Sequence, residues 1–218
     1  IHEAMSTLKS KGVGRVIVLP LYPQYAASST GAALDKVLGE LEHERNQMSV
    51  RTISRFYFHT GYIRAVAQQI ANYRKQYGAG EKLMFSFHSI PQKHSDLGDP
   101  YPQECRETAR LVALELGLSE QDYIVSFQSR FGGGKWLEPS TQTLFKELPR
   151  KHKHQARCCL PWFCERLLGN HGRNCHPRAR AVPRRRRHAI PIHPLLKRQP
   201  RMVRRIKRDC ERKRRRLD

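Results

Sequence analysis

Leu83-Met84-Phe85-Ser86-Phe87-His88-Ser89-Ile90-Pro91 is the stretch that sets the expected fold of this chain. It begins as a short apolar run, which is typical of a buried strand. It ends in polar residues and a proline, where the chain must leave a sheet. Ligand sites in open α/β sheets lie outside the carboxyl ends of the strands. The stretch therefore predicts a buried parallel strand with His88 at the edge where a ligand would bind.

The segments around this strand alternate between helical and strand patterns. Predicted helices cover residues 3–11, 31–43, 61–77 and 102–116, and predicted strands cover 15–21, 50–58 and 123–127. Ser28, Ser29 and Thr30 offer capping oxygens to the second helix, and Thr60 offers one to the third. Strands that alternate with helices indicate a parallel sheet. We therefore predict an α/β fold with a parallel sheet of the four-stranded type, flanked by helices.

His88 is the candidate for metal or proton chemistry. A neutral imidazole binds transition metals and accepts protons near neutral pH. By position alone, a histidine whose ring hydrogen-bonds to a backbone carbonyl at the strand end is an equal alternative. The surrounding motifs favour the chemical interpretation.

Further motifs occur in a fixed order around this strand. They are Leu-Pro-Leu-Tyr-Pro-Gln-Tyr at 19–25, Ser-Ser-Thr-Gly at 28–31, Gly-Asp-Pro-Tyr at 98–101, Ser-Phe-Gln-Ser-Arg-Phe-Gly at 126–132 and Trp-Leu-Glu-Pro at 136–139. Together with the His88 motif, this set resembles the ferrochelatases, and most closely their bacterial soluble forms. The resemblance runs from about Ile1 to about Pro149.

The resemblance implies an enzyme that inserts ferrous iron into protoporphyrin IX at the end of haem synthesis. In the family, the histidine that matches His88 ligates the iron or accepts a pyrrole proton, and an acidic residue from a later segment faces it. Ferrous iron is then a substrate, and no prosthetic group is expected. The family fold has two similar α/β halves with a cleft between them.

The loop from Tyr22 to Thr30 suits a flat aromatic ligand. We expect Tyr22, Tyr25, Ser29, Thr30 and Ser89 to line the porphyrin cleft, since rings would wall the porphyrin and a helix N-terminus favours its anionic propionates. An ordinary strand-to-helix turn is the alternative.

Two other motifs leave simpler interpretations open. Trp136 and Phe131 would form a lip of the same cleft, or would belong to a surface loop. Asp99 is expected to be a turn and helix-capping residue rather than a metal ligand.

Charge divides the chain near residue 150. Through Arg150 there are 18 Lys and Arg against 15 Asp and Glu, and after it 23 against 4. Five of the six cysteines also lie in the second part. The first part has the composition of a cytoplasmic globular domain, and no apolar run approaches the roughly 18 residues of a membrane span. High charge and low apolar content predict a disordered basic tail over residues 151–218.

The tail does not continue the ferrochelatase pattern. The family has a Pro-Gly-Phe segment and a Glu-rich helix there, and permitted codons for Pro161 to His176, read one base later, encode such a segment. Ile190 to Arg205 gives a second match in that frame. We therefore interpret the chain as an N-terminally truncated ferrochelatase whose frame shifts between about Pro149 and Pro161, so that the acidic partner of His88 is lost. Residues 1–25 would end the first half of the fold, and residues 26–150 would form the second.

A nucleic-acid-binding protein is the alternative function. Arginine blocks such as Arg184 to Arg187 attract polyanions, so nonspecific polyanion binding through the tail is expected whatever its origin. The cysteines and histidines of the tail match no common paired zinc spacing.

The frame interpretation predicts a specific DNA sequence. Removing one base, or adding two, near the codons for Pro149 to Pro161 should restore an open frame that encodes the Pro-Gly-Phe segment and the Glu-rich helix. Sequencing the locus checks this. Stop codons in the shifted frame, or a frame without that segment, would exclude a frameshift.

Overall fold

A computed structural model describes residues 1–79, 82–151 and 156–159 of the chain. The helices are α1 (His2–Ser10), α2 (Ala32–Glu42), α3 (Thr60–Tyr77), α4 (Gln92–Asp96), α5 (Tyr101–Glu115) and α6 (Thr141–Lys151). The strands are β1 (Arg15–Val18), β2 (Ser49–Thr52), β3 (Lys82–His88), β4 (Tyr123–Gln128) and β5 (Ala156–Cys159). A π-helical turn, Ala27–Gly31, precedes α2, and a short 3₁₀ turn, Glu120–Asp122, precedes β4.

The described strands form two parallel sheets. β1 pairs with β2, with Arg15 beside Ser49 and Val18 beside Thr52. The other sheet has the order β4-β3-β5, so β3 lies in its centre. The predicted parallel α/β fold flanked by helices is confirmed. The described strands form a two-stranded and a three-stranded sheet, and not one sheet of the predicted four-stranded type.

The central strand β3 is buried along almost its whole length. Its five residues from Leu83 to Phe87 are buried, and only the ends, Lys82 and His88, are half-buried. Burial on both faces is what a continuous apolar run in a parallel sheet requires. The strand therefore ends as predicted, with a polar side chain at its carboxyl end.

The chain separates into two compact units. The first contains residues 1–57 and 93–105, and the second contains residues 58–92 and the described residues from 106 onward. The β1–β2 sheet belongs to the first unit, and the β4-β3-β5 sheet belongs to the second. The division of the family fold into halves at residue 25 is a separate matter and stays a prediction.

Some local predictions of strand extent, helix capping and tail structure were wrong. The strand predicted over residues 50–58 is limited to Ser49–Thr52. The side chain of His59, and not that of Thr60, caps α3, because its Nδ1 accepts the Gly61 N–H at 3.1 Å. Residues 156–159 of the predicted irregular tail form β5, which pairs parallel with β3. The remainder of the tail, including the arginine blocks, lies outside the described residues.

Candidate functional site

His88 lies at the carboxyl end of β3, beside the end of β4. The register places it opposite Gln128, and the N–H of Ser89 donates to the Gln128 carbonyl oxygen at 2.7 Å. Paired residues of neighbouring parallel strands present their side chains on the same face of the sheet. His88 and Gln128 are both half-buried, so one imidazole and one amide share the edge of the sheet.

A buried hydroxyl cluster lies on the same face, one step before His88. Ser86 and Ser126 are paired across β3 and β4, and the Thr141 hydroxyl lies 2.8 Å from the hydroxyl oxygen of each. All three side chains are buried. Because side chains alternate along a strand, this face is polar towards the carboxyl ends of β3 and β4, while Phe85, Phe87 and Phe127 occupy the other face. The cluster satisfies its hydroxyls internally and ties α6 to the two strands.

The segment after His88 is tied to the segment that contains Trp136. Pro91 and Trp136 form an antiparallel bridge. The Gln92 N–H donates to the Lys135 carbonyl at 3.0 Å, and the Leu137 N–H donates to that of Ile90 at 3.2 Å. These bonds bring the half-buried Trp136 close in the structure to the chain that leaves β3, whereas Phe131 is 58% exposed. Membership of both residues in a cleft lip stays a prediction.

In the first unit, two carboxylates hold the loop from Tyr22 to Thr30. The Tyr25 N–H donates to Glu104 Oε2 at 2.7 Å, and the Ala27 N–H donates to Asp99 Oδ2 at 2.8 Å. Asp99 Oδ1 also accepts the N–H of Tyr101, the first residue of α5, at 3.0 Å. The predicted capping role of Asp99 is therefore confirmed, and Asp99 has a second role in fixing the loop.

Glu104 is a site residue that the sequence interpretation missed. It is only 4% exposed, and Arg55 Nη1 lies 3.0 Å from its Oε1. Burial raises the pKa of the Glu104 carboxyl above its ordinary value, and the Tyr25 N–H and the Arg55 charge oppose that rise. A signal was available in the helical spacing, because residues 104, 108 and 112 lie on one buried face of α5. An acidic residue on such a face indicates a buried partner.

The predicted porphyrin residues differ in exposure. Tyr22, Tyr25 and Ser29 are half-buried, whereas Thr30 and Ser89 are buried. No side-chain cap bond is made at the start of either the π-helical turn or α2, so the predicted capping by residues 28–30 was wrong. The Ser29 hydroxyl instead donates to the Ala26 carbonyl at 3.4 Å. The roles of these residues in ligand binding stay predictions.

Two other features are absent from the described residues. Within that part of the chain, no group of three or more His, Cys, Asp and Glu side chains is arranged to hold a metal ion. None of the helices described there combines the length and the apolar character needed to cross a membrane.

The fold and the strand-end histidine define a parallel α/β protein with a candidate ligand site at the carboxyl edge of its sheet. The family model described as "Ferrochelatase" matches residues 1–167. The chain is 59% identical over 163 residues to "Ferrochelatase" of Neisseria meningitidis serogroup C, which covers 75% of this chain and 48% of that protein. It is 46% identical over 168 residues to "Ferrochelatase" of Methylobacillus flagellatus, with 77% and 49% covered.

The chain belongs to the ferrochelatase family. It spans about half the length of the curated relatives it matches. The family match continues to residue 167, beyond the end near Pro149 that the motifs indicated. The similarity to the family therefore extends about 18 residues further along the chain than the motifs indicated.

Proposed function

We propose that this chain is part of a cytoplasmic ferrochelatase that inserts ferrous iron into protoporphyrin IX to give protohaem. Membership of the family supports the reaction, and the position of His88 at the carboxyl end of a buried strand supports its site. Ferrous iron and the porphyrin are both substrates, and the proposal includes no prosthetic group.

The proposed chemistry requires a group that binds a metal or accepts a proton. The porphyrin loses two pyrrole protons, and the ferrous ion exchanges its water ligands for the pyrrole nitrogens. A neutral imidazole at His88 can ligate the arriving ion or accept one of these protons. The amide of Gln128 shares the edge of the sheet with that ring. We assign His88 the metal-side role on this basis.

We propose that the half-buried rings of Tyr22 and Tyr25 contact the porphyrin plane. Both tyrosines belong to the loop of the first unit. Ser29, Thr30 and Ser89 complete the proposed set of porphyrin residues. Ser29 is half-buried, and Thr30 and Ser89 are buried. No observation on the described residues favours the nucleic-acid alternative. It depends on the arginine blocks, which lie outside them, as does the expected binding of polyanions.

Porphyrin binding by the 218-residue chain tests this proposal. The chain is titrated into protoporphyrin IX, and the Soret band and the porphyrin fluorescence are followed. We expect saturable binding, because flat aromatic ligands gain binding energy from stacking on tyrosine rings. One proposed site in each chain implies one porphyrin per chain. A matched titration with the Tyr22→Ala, Tyr25→Ala double variant should show binding weakened about tenfold or more. A Soret band unaffected by the unsubstituted chain would contradict the proposal.

A further inference from the structure

Tyr25 is held through both its backbone and its ring within the first unit. The Tyr25 N–H donates to Glu104 Oε2 at 2.7 Å, and the Arg55 guanidinium carbon lies 5.3 Å from the centre of the Tyr25 ring. A methyl group added at Gly31 would lie 3.0 Å from the Tyr25 hydroxyl oxygen, so the ring end packs directly over that glycine. These contacts leave the ring little freedom to move.

Arg55 and Glu104 link the backbone and the ring of this tyrosine. Arg55 pairs with the buried Glu104 carboxylate at 3.0 Å and also lies over the Tyr25 ring. A planar guanidinium can pair with a carboxylate and stack on an aromatic ring at once, which an ammonium group cannot do. The two residues therefore act together on Tyr25, one through its amide and the other through its ring.

Neighbouring bonds extend this arrangement along the loop. Asp99 holds the Ala27 N–H at 2.8 Å, and the Phe56 N–H donates to the Pro23 carbonyl at 2.9 Å. The backbone is thus fixed on both sides of Tyr25, from the chain next to Arg55 and from the chain that begins α5. Such a loop has already lost the conformational freedom that ligand binding would otherwise remove.

We propose that Glu104 and Arg55 are positioning residues, which hold the Tyr25 ring ready as a rigid contact for the plane of a tetrapyrrole. This role rests on the proposed function, since it concerns porphyrin binding by the same loop. Neither residue needs to touch the porphyrin. They contribute to porphyrin affinity. Binding does not have to immobilise an aromatic side chain that is already ordered, so the entropy cost of that step is avoided.

Four variants of the 218-residue chain test the proposal, with two measurements on each. Glu104→Ala removes the acceptor of the Tyr25 amide, and Arg55→Met removes the stacked charge while keeping an unbranched side chain that reaches about as far as the arginine Nε. Gly31→Ala displaces the ring end without touching either residue. Glu107→Ala is the control, because it removes a carboxylate of α5 that pairs with Arg110. Hydrogen exchange of the peptide spanning residues 22–30 reports the loop, and protoporphyrin IX titration reports affinity.

We expect Glu104→Ala to speed exchange at Tyr25 about tenfold or more and to weaken porphyrin binding about tenfold. Arg55→Met and Gly31→Ala should weaken binding several-fold, and Gly31→Ala should leave the Tyr25 amide protected. Glu107→Ala should change neither quantity. If Glu104→Ala does not fold, the half-exposed Arg55 carries the same test. Porphyrin affinity within twofold of that of the unsubstituted chain in a folded Glu104→Ala or Arg55→Met variant, whether or not amide exchange in the loop is faster, would overturn the positioning role while porphyrin binding stood. Absence of porphyrin binding by the unsubstituted chain would instead overturn the proposed function and this role with it.

Discussion

Replacement of His88 by alanine is expected to lower the rate of iron insertion by about a hundredfold or more. The imidazole is proposed to ligate the ferrous ion or to accept a pyrrole proton, and general acid–base catalysis alone contributes about a hundredfold or more. Porphyrin affinity should change by less than about threefold, because the proposed contacts with the plane belong to the tyrosine rings. The kinetic signature is therefore a loss of turnover with binding retained.

A chimaera provides the background for this measurement, since the chain spans about half the length of its relatives. Residues 1–149 of this chain are flanked by the preceding and following segments of the Neisseria meningitidis relative. Iron insertion is followed anaerobically by the loss of porphyrin fluorescence. His94→Ala is the matched control, because His94 is an exposed residue of α4. An undiminished rate with alanine at position 88 would make His88 a structural histidine and would refute the assignment.

Replacement of Phe87 by alanine should lower the free energy of unfolding by about 3–5 kcal/mol. Phe87 is 0% exposed in the central strand, and its ring centre lies 6.4 Å from that of Phe127. Removing the ring loses its transfer free energy and leaves a cavity that a closely packed sheet cannot fill. Urea denaturation followed by far-ultraviolet circular dichroism measures the change.

Phe131→Ala is the control for the same chemical substitution at a surface position. Phe131 is 58% exposed, so its replacement should alter the free energy of unfolding by no more than about 0.5 kcal/mol. Equal losses for the two variants would contradict the placement of β3 at the centre of the core. A small loss for Phe87→Ala alone would show that the sheet repacks around the missing ring.

Most of the secondary structure was predictable because its signals are local. A continuous apolar run indicated β3, and its burial and boundaries agree with that prediction to within one residue. The overlong prediction for β2 has a physical cause. Phe56, Tyr57 and Phe58 continue the apolar pattern after Thr52, but apolar residues indicate burial and not strand pairing. Within the described part of the chain, the ladder between β1 and β2 ends at Thr52.

The site was predictable only in part. His88 was found because a polar residue at the end of a buried strand is visible in the sequence. The Tyr25–Glu104 bond was not, since its partners are 79 residues apart. Periodicity places Glu104 on the buried face of α5, yet it does not identify which N–H group that carboxylate meets.

Order and spacing of residues were therefore enough to establish the parallel α/β class, the position of the histidine on its strand and the resemblance to a family. The tertiary structure decided the register that puts Gln128 beside His88, the closure of the Ser86, Ser126 and Thr141 hydroxyl cluster, and the fixing of Tyr25 by Arg55 and Glu104. The reason is the distance along the chain over which each feature is determined. Apolar periodicity is a property of one segment, whereas a buried hydrogen bond or ion pair forms only after distant segments have packed together and excluded water.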